Sequence, residues 1–322
     1  MSTSTMRAVQ QTTFGDSEVL EIRQVPRPTP LPTEVLVRVH AAGINPVDWK
    51  TRGGTGMAGV LGEPPFILGW DVSGVVEEVG FGVTTLAVGD EVYGMPWFPR
   101  AAAAYAEYVT APARQFARKP ATISHDQAAA APLAALTAWQ VLVDTADVQP
   151  GQRVLIHAAA GGVGHFAVQF AKHLGAHVIG TARSERHDWL TALGADEVID
   201  YTSVRFEDAV GDVDVVVDLV GDAHDTSLRS LSVLRPGGLL VAVPGGVSPK
   251  LAEAAAAKGV RVSAFLVEPD GPALARIAEL IAAGKVQVEV EAVFDLADAG
   301  KAQAQGESGR TRGKLVLRVV EP

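Results

Sequence analysis

The stretch 157-HAAAGGVGHFAVQFAKHLGA-176 decides the fold, because it places three glycines directly before a helical pattern. Gly161, Gly162 and Gly164 would weaken an ordinary helix, so they indicate that the backbone approaches another group closely. A strand pattern precedes them at residues 153–158. A strand, a glycine-rich turn and a helix in this order are typical of a dinucleotide site, where N–H groups at the helix N-terminus bind the pyrophosphate. A strand–helix turn that is merely tight is the alternative.

Beyond Pro150 the chain alternates between short hydrophobic runs and helical stretches. The runs are almost continuously hydrophobic, as parallel strands buried on both faces require. This alternation predicts an α/β fold with a doubly wound parallel sheet. The predicted strands span residues 153–158, 177–182, 197–201, 213–220, 239–244 and 261–267.

Both ends of the chain carry β-branched runs bounded by Gly, Pro or Asp, which are typical of short strands. These runs lie at residues 35–44, 72–80, 89–95, 288–294 and 314–320. Helical patterns are rare before residue 125. We therefore expect a split β-rich domain, formed by residues 1–124 and completed by residues 287–322, with a nucleotide-binding domain at residues 125–286.

The composition excludes several classes of protein. The chain has 322 residues, a formal net charge of −10 and no cysteine. The negative charge argues against a nucleic-acid partner, for which a basic stripe is expected. The lack of cysteine removes disulfides, thiolate nucleophiles and every zinc site that uses sulfur. Residues 1–11 lack the apolar core of a signal peptide, and the apolar run 128–139 is too short to span a bilayer, so we expect a cytoplasmic protein without a membrane partner.

The end of the second predicted strand favours NADPH over NADH. Strand 177–182 is followed by Arg183-Ser184-Glu185-Arg186, whereas NAD sites usually carry Asp or Glu there to bind the ribose 2′-hydroxyl. A guanidinium group suits a 2′-phosphate because it forms bidentate, charge-assisted hydrogen bonds. Glu185 keeps NAD open as an alternative. Arg183 and Arg186 could also be solvated residues that begin a helix.

Five motifs in this order resemble the medium-chain dehydrogenase/reductase superfamily, and within it the zinc-free quinone oxidoreductase and alkenal/enone reductase branch. The motifs are GINPVDWK (43–50), PPFILGWDVSGVVEEVG (64–80), VGDEVYG (88–94), HAAAGGVG (157–164) and LGADEVIDY (193–201). The resemblance covers essentially the whole chain. It implies a GroES-like β-rich catalytic domain, built from both chain ends, and a doubly wound Rossmann domain between them.

The same resemblance argues against a metal. Zinc-dependent alcohol dehydrogenases of this superfamily carry a catalytic cysteine near the GIN motif and a Gly-His-Glu motif further on. Here these places contain Ile44-Asn45-Pro46 and Gly69-Trp70-Asp71. The eight histidines are scattered along the sequence. We therefore expect no metal site.

The resemblance also implies which residues contact the cofactor. The turn of the AxxGxxG form, with Ala159 at its first position, would bind the pyrophosphate, and the residues after strand 177–182 would bind the 2′-phosphate. Further positions would lie near the nicotinamide or line the cofactor. The implied cofactor-binding residues are Asn45, Lys50, Thr137, Gly161, Gly162, Val163, Gly164, Arg183, Ser184, Arg186, Tyr201, Val220, Pro244, Phe265, Leu266 and Lys314.

Without a metal, the chemistry must come mostly from the cofactor, and the protein must stabilise the oxyanion that develops after hydride transfer. Asn45 and Lys50 are the best candidate donors, and both are predicted catalytic residues. Asp48, the third, could orient Lys50 or could simply start a helix. The final proton could come from water, a tyrosine or Lys50.

These features, together with what the resemblance implies about the substrate, predict an NADPH-dependent oxidoreductase that acts on quinones or α,β-unsaturated carbonyl compounds. The alternatives are an enoyl or ketone reductase that tailors a biosynthetic product, and a low-turnover NADPH-binding protein that acts as a sensor or scaffold. The last predicted strand, 261–267, would be the edge of the sheet. Because exposed apolar edges are usually paired or covered, and with support from the resemblance, we expect a homodimer that pairs these strands.

Overall fold

The computed structural model describes residues 4–221 and 225–320. The described chain forms two compact units. The first contains the segments up to Leu136, Glu268–Gly284 and from Val288 onward. The second contains Thr137–Val267 and Lys285–Gln287.

The described residues form strands β1 (Thr5–Gln11), β2 (Leu20–Pro26), β3 (Glu34–Ile44), β4 (Phe66–Ile67), β5 (Asp71–Val79), β6 (Glu91–Gly94), β7 (Tyr108–Pro112), β8 (Phe116–Arg118), β9 (Arg153–Ile156), β10 (His177–Ala182), β11 (Glu197–Asp200), β12 (Val213–Asp218), β13 (Leu234–Ala242), β14 (Arg261–Ala264), β15 (Val290–Asp295) and β16 (Lys314–Arg318). Their helices are α1 (Pro46–Arg52), α2 (Ala58–Leu61), α3 (His125–Ala130), α4 (Pro132–Trp139), α5 (Gly164–His173), α6 (His187–Leu193), α7 (Phe206–Ala209), α8 (Thr226–Ser230), α9 (Pro249–Lys258), α10 (Gly271–Ala282) and α11 (Ala299–Glu307). A π-helix, Gln140–Thr145, directly follows α4. Within these described ranges, no helix is both long and apolar enough to cross a membrane.

The second unit contains the predicted doubly wound sheet. Its six strands are all parallel, in the order β11-β10-β9-β12-β13-β14. Each strand predicted between residues 153 and 267 overlaps one observed strand, although β13 begins five residues before the predicted 239–244, so the α/β prediction is confirmed. The central strands are mostly hydrophobic because both of their faces are covered, and Val154, Leu155 and Ile156 of β9 are completely buried.

The first unit is the predicted β-rich domain, and both ends of the chain contribute to it. A seven-stranded sheet has the order β15-β16-β3-β5-β6-β8, with β7 paired to β3. The C-terminal β16 lies antiparallel to the N-terminal β3, with Leu315 opposite Ile44. A second sheet of three strands has the order β2-β1-β4. This pairing shows that both ends of the chain contribute to one β-rich sheet.

The units differ from the predicted domain limits in three helices, because α3, the part of α4 up to Leu136 and α10 all belong to the first unit. Helix α3 groups with the first unit, because His125 Nδ1 lies 2.8 Å from Ser73 Oγ on β5. Helix α10 does so too, since Tyr93 Oη donates to the Leu274 carbonyl at 2.6 Å. A methyl group at Gly271 would lie 2.3 Å from the Arg114 carbonyl oxygen, so this helix packs closely on the β-rich unit. The domain limits that the sequence predicts, at residues 124 and 286, remain a prediction.

Candidate active site

The glycine-rich turn lies between β9 and α5 and brings the helix unusually close to the strand. A Cβ atom at Gly164 would lie 2.3 Å from the Ala158 carbonyl oxygen and 2.7 Å from Ala159 Cα. Real Cβ atoms do not approach backbone this closely, so only glycine fits at this position. Ala158 itself has a φ of 50°, in the left-handed region, which makes the reversal of the chain tight.

Ala159 stands where a G-x-G-x-x-G motif has its first glycine, and the neighbouring strand compensates for its methyl group. Ala159 is fully buried, and its N–H group donates to the Thr181 carbonyl on β10 at 3.0 Å. A Cβ atom at Gly180 would lie only 2.9 Å from Ala159 Cβ. The alanine methyl group therefore occupies the space that Gly180 leaves open on β10.

The turn leaves N–H groups for a ligand at the start of α5. Gly161 N–H donates to the Ala158 carbonyl at 3.0 Å, and the helix begins at Gly164 after Val163. The first N–H groups of a helix have no acceptor within it and carry partial positive charge. Gly161, Gly162 and Val163 are all half-buried, which keeps the turn accessible. The structure therefore brings the predicted pyrophosphate-binding residues together in one turn.

The end of β10 carries the predicted 2′-phosphate residues. Arg183 and Ser184 are exposed, and Arg186 is half-buried in the short helical turn that follows. Arg183 Nε donates to Tyr201 Oη at 3.2 Å, and this hydrogen bond raises the pKa of Arg183. Tyr201 is 51% exposed just beyond β11, so its ring lies at the surface beside the guanidinium group. The structure thus pairs two residues that the sequence assigned separately.

The remaining cofactor-lining candidates of this unit lie at the carboxyl edge of its sheet. Val220 and Pro244 each follow the last residue of a strand by two positions, and Phe265 directly follows β14. Because all six strands are parallel, these ends meet at the same edge as the glycine-rich turn. Val220, Pro244 and Phe265 are half-buried, and Leu266 is 53% exposed. Thr137, in contrast, is buried in α4.

The first unit contains a buried polar cluster, which we call the Asn45 cluster. Strand pairing assembles it: Asn45 follows β3, and Gly43 of β3 lies opposite Asp71 at the start of β5. Lys314 begins β16, which pairs with β3 on its other side. The side chains of the cluster are all buried; they are Asn45, Asp48, Asp71, Tyr105 and Lys314.

The Asn45 carboxamide contacts a carboxylate on one side and an ammonium group on the other. Asn45 Nδ2 donates to Asp71 Oδ2 at 2.8 Å. Lys314 Nζ donates to Asn45 Oδ1 and also to the Ile44 carbonyl, the latter at 2.8 Å. Lys314 Nζ lies 3.6 Å from Asp71 Oδ2, which closes a ring of three side chains.

Asp48 is a buried acid that does not contact Lys50. Its Oδ2 atom accepts hydrogen bonds from Asn45 N–H at 2.6 Å and from Tyr105 Oη at 2.9 Å. Burial raises its pKa to about 7, and the charge of Asp71 adds to this, while its hydrogen bonds and Lys314 oppose it. Asp48 thus caps the start of helix α1, which is the second of the two roles that the sequence left open for it.

The two lysines of the predicted site have different surroundings. Lys314, which the resemblance places along the cofactor, has a side chain that is 3% exposed, and its ammonium group is held by the Asn45 cluster. Burial lowers its pKa, against the opposing charges of Asp71 and Asp48. Lys50 is exposed on α1, and its ammonium group has no hydrogen-bond partner among the contacts of residues 4–221 and 225–320.

Asp71 and Tyr105 are members of the cluster that the sequence did not assign to it. Burial raises the pKa of Asp71, opposed mainly by Lys314, and burial raises the pKa of Tyr105 well above its usual range. In the sequence Asp71 directly precedes the predicted strand 72–80, and because aspartates are mostly exposed, no local signal marked it as buried.

We found no group of three or more His, Asp or Glu side chains suited to a metal ion in the described part of the chain.

Two family models match the sequence. "Alcohol dehydrogenase GroES-like domain" matches residues 31–121, and "Zinc-binding dehydrogenase" matches residues 193–317.

Three known proteins illustrate what the chain is similar to. The quinone oxidoreductase of Coxiella burnetii has a solved structure with a TM-score of 0.92 and 38% identity, over 98% of this chain and 100% of that one. The Escherichia coli quinone oxidoreductase, solved in complex with NADPH, gives a TM-score of 0.85 and 31% identity, over 97% and 100%. The chloroplastic NADPH-dependent alkenal/one oxidoreductase of Arabidopsis thaliana is 34% identical over 323 residues, which cover 97% of this chain and 79% of the relative.

The chain belongs to the medium-chain dehydrogenase/reductase superfamily, in its zinc-free quinone oxidoreductase and alkenal/enone reductase branch. It is therefore an oxidoreductase that uses a nicotinamide cofactor.

Proposed function

We propose that this chain is an NADPH-dependent, zinc-independent oxidoreductase that transfers a hydride to quinones or α,β-unsaturated carbonyl compounds. The observation that carries the choice of cofactor is the pair of Arg183 and Tyr201, which presents a guanidinium group at the end of β10, where NAD sites usually have an acid. The choice of substrate is supported by the relatives, which are named as quinone and alkenal/one oxidoreductases.

The second unit fits NADPH at two places. Gly164 lets α5 pack closely on the end of β9, and the N–H groups at the start of α5 would form a cradle for the pyrophosphate together with Gly161, Gly162 and Val163. The residues that would hold the 2′-phosphate are Arg183, Ser184 and Arg186, beside Tyr201. The residues that would line the rest of the cofactor in this unit are Thr137, Val220, Pro244, Phe265 and Leu266. When bound, NADPH supplies the hydride.

In the first unit, Asn45 is the residue best suited to stabilise the substrate oxygen on which negative charge develops. Its amide is held in place by charged neighbours, so it loses no orientational freedom when it donates a hydrogen bond. Lys50 is a second donor, since its exposed ammonium group has no competing partner among the described contacts.

The structure narrows the candidates for the final proton. Tyr93 donates its phenolic hydrogen to the Leu274 carbonyl, and Tyr105 donates to Asp48, and both rings are buried. A phenol that is already committed to a buried acceptor is a poor acid for a substrate. Lys50, water and a tyrosine other than these two therefore remain as the proposed proton sources.

Zinc independence is supported by the side chains at the positions of the zinc ligands. Asn45 and Trp70 stand near the places of the catalytic cysteine and histidine of zinc-dependent relatives, and the chain has no cysteine. A carboxamide is a weak ligand for zinc, and an indole is not a ligand.

The proposal includes a homodimer and a cytoplasmic location. Strand β14 is the edge of the six-stranded sheet. Among the described residues, no strand pairs with its outer side. Pairing β14 with its copy would cover this edge. Analytical ultracentrifugation should then give twice the mass of one chain, and a single-chain mass at micromolar concentration would contradict the dimer. The cytoplasmic location is tested by imaging a fluorescent fusion.

The experiment that tests the function is NADPH oxidation in the presence of a panel of quinones, alkenals and enones, with NADH in parallel. Turnover on at least one class with NADPH is expected. Tight NADPH binding without turnover on any member would contradict the proposed function and would favour a sensor or scaffold.

A further inference from the structure

The carboxamide of Asn45 has a fixed orientation, because its two ends face opposite charges. Its oxygen accepts from the Lys314 ammonium group, and its nitrogen donates to Asp71 at 2.8 Å. If the amide turned over, its N–H groups would face the ammonium group and its oxygen would face the carboxylate. Both contacts would then be repulsive in a buried, weakly screened environment.

The backbone holds both charged partners in place. Asp71 Oδ1 accepts the Leu133 N–H group at 2.7 Å, so both carboxylate oxygens of Asp71 are used. Lys314 Nζ is fixed by the Ile44 carbonyl. A Cβ at Gly43 would lie 2.9 Å from Asp71 Oδ2 and 2.3 Å from the Ala129 carbonyl oxygen, so glycine makes room for the carboxylate.

The ring leaves one amide hydrogen for another acceptor. A carboxamide nitrogen carries two hydrogens, and Asp71 takes one of them. Within residues 4–221 and 225–320, no contact uses the second hydrogen of Asn45. Lys314 withdraws electron density through the amide oxygen, which makes the remaining N–H a stronger donor.

We propose that Asp71 and Lys314 are positioning residues, which together orient and polarise Asn45 so that its second N–H group donates to the carbonyl oxygen of the substrate. This inference rests on the proposed reductase function. It assigns to Lys314 a role in orienting Asn45, in place of a contact with the cofactor, and it gives Asp71 a function in the reaction.

A double-mutant cycle between Asn45 and its partners tests the proposal. Loss of one oxyanion donor typically lowers kcat about 100-fold, so we expect that loss for Asn45→Ala. Asp71→Asn should lower kcat roughly tenfold, because the Leu133 N–H group forces the new amide oxygen to Oδ1 and turns an N–H donor towards Asn45. In the Asn45→Ala background, Asp71→Asn should have almost no further effect on kcat, since the group it positions is absent.

Lys314→Met is the second arm of the cycle, with Lys119→Met as its control. Lys119 is another buried lysine of the first unit, with its side chain 5% exposed and its ammonium group bound to the Pro120 and Ile123 carbonyls. Lys314→Met should lower kcat with the NADPH dissociation constant unchanged, and Lys119→Met should leave kcat unchanged. If Lys314→Met fails to fold, the cycle is completed with Asp71→Asn alone. If Asp71→Asn or Lys314→Met lowers kcat by the same factor in the Asn45→Ala background as in the wild type, the proposal is overturned.

The NMR signal of the Asn45 carboxamide separates this inference from the proposed function. The signal is assigned by its loss in Asn45→Ala. Two well-separated amide hydrogens are expected, and Asp71→Asn and Lys314→Met should shift them, whereas Lys119→Met should not. Unmoved signals in both variants would overturn the orientation of the amide even in an active enzyme. Shifted signals without turnover on any acceptor would sustain the orientation and reject the reductase function.

Discussion

Tyr105 Oη donates a hydrogen bond to Asp48 Oδ2 at 2.9 Å, and both side chains are completely buried. Asp48 Oδ2 also accepts the Asn45 N–H group, while Asp48 Oδ1 has no partner among the described residues. A carboxyl group with both hydrogen bonds on one oxygen can hold a proton on the other. The Asn45 cluster of the first unit therefore contains a buried acid, Asp48. Its carboxyl group is neutral below its pKa of about 7.

Replacing Asp48 by Asn should remove a pH dependence of stability. The folded protein binds this proton more tightly than the unfolded chain, because the pKa is about 7 when folded and has an ordinary value of 3.8. The group's contribution is fully present below the ordinary pKa, and it is lost as pH rises through 7. The loss of this contribution lowers the free energy of unfolding of the wild-type protein by at most about 1.4 kcal/mol for each unit by which the pH rises.

Urea unfolding between about pH 5 and pH 8 measures this difference. Asp48→Asn should gain stability relative to the wild type as pH rises, because its neutral amide never has to bury a charge. The exposed Asp188 provides a matched control, since Asp188→Asn should follow the wild type. Equal pH slopes for Asp48→Asn and the wild type would show that Asp48 does not hold the proton.

Replacing Gly180 by Ala should be tolerated only when Ala159 is replaced by Gly at the same time. Gly180→Ala places a second methyl group 2.9 Å from Ala159 Cβ, and such overpacking typically costs about 1–3 kcal/mol of stability. Adding Ala159→Gly to this variant removes the clash and should restore most of the lost free energy of unfolding. Thermal or urea unfolding of the two single variants and the double variant measures the coupling.

Additive losses in that series would contradict the contact between the two residues. Gly164→Ala is the comparison variant, because no second substitution should restore the stability that it loses. Its methyl group would meet the backbone of Ala158, which no side-chain substitution removes.

The sequence predicted the second unit well, because its signals are local. Six hydrophobic runs became six parallel strands, and the glycine spacing marked the turn at Gly161–Gly164. The limits of the units were harder to predict. Helix α10 has an ordinary helical pattern, and nothing in it reveals that Gly271 packs on the Arg114 carbonyl, far away in sequence.

The Asn45 cluster could be predicted only in part, for a related reason. Asn45 and Asp48 follow from a local motif, but Asp71 and Lys314 join them through strand pairing over long distances in sequence. The register between β3 and β5 contains two irregularities, so alternation alone does not place Asp71 opposite Gly43. A lysine near the C-terminus also gives no local sign that it is buried beside two carboxylates.

Arg183→Ala should raise the apparent KM for NADPH roughly tenfold and leave the KM for NADH unchanged. The guanidinium group would bind the 2′-phosphate, and a charge-assisted hydrogen bond contributes about 1.5–3 kcal/mol. Steady-state kinetics with each cofactor at saturating substrate measures the difference.

Arg205 is the matched control for this change, because it belongs to the same unit and its side chain is 70% exposed. Arg205→Ala should not alter either KM. If Arg183→Ala affects NADPH and NADH equally, the arginine does not recognise the 2′-phosphate.

The ratio of kcat/KM for NADPH to that for NADH, measured with the wild-type protein on a quinone and an enone acceptor, tests the central claim most directly. The presence of Arg183 and the absence of an acid at the end of β10 predict that NADPH is preferred by at least about tenfold, with turnover on one or both acceptors. An equal rate with NADH would contradict the assignment of the cofactor, and no turnover with either acceptor would contradict hydride transfer to this class of substrate.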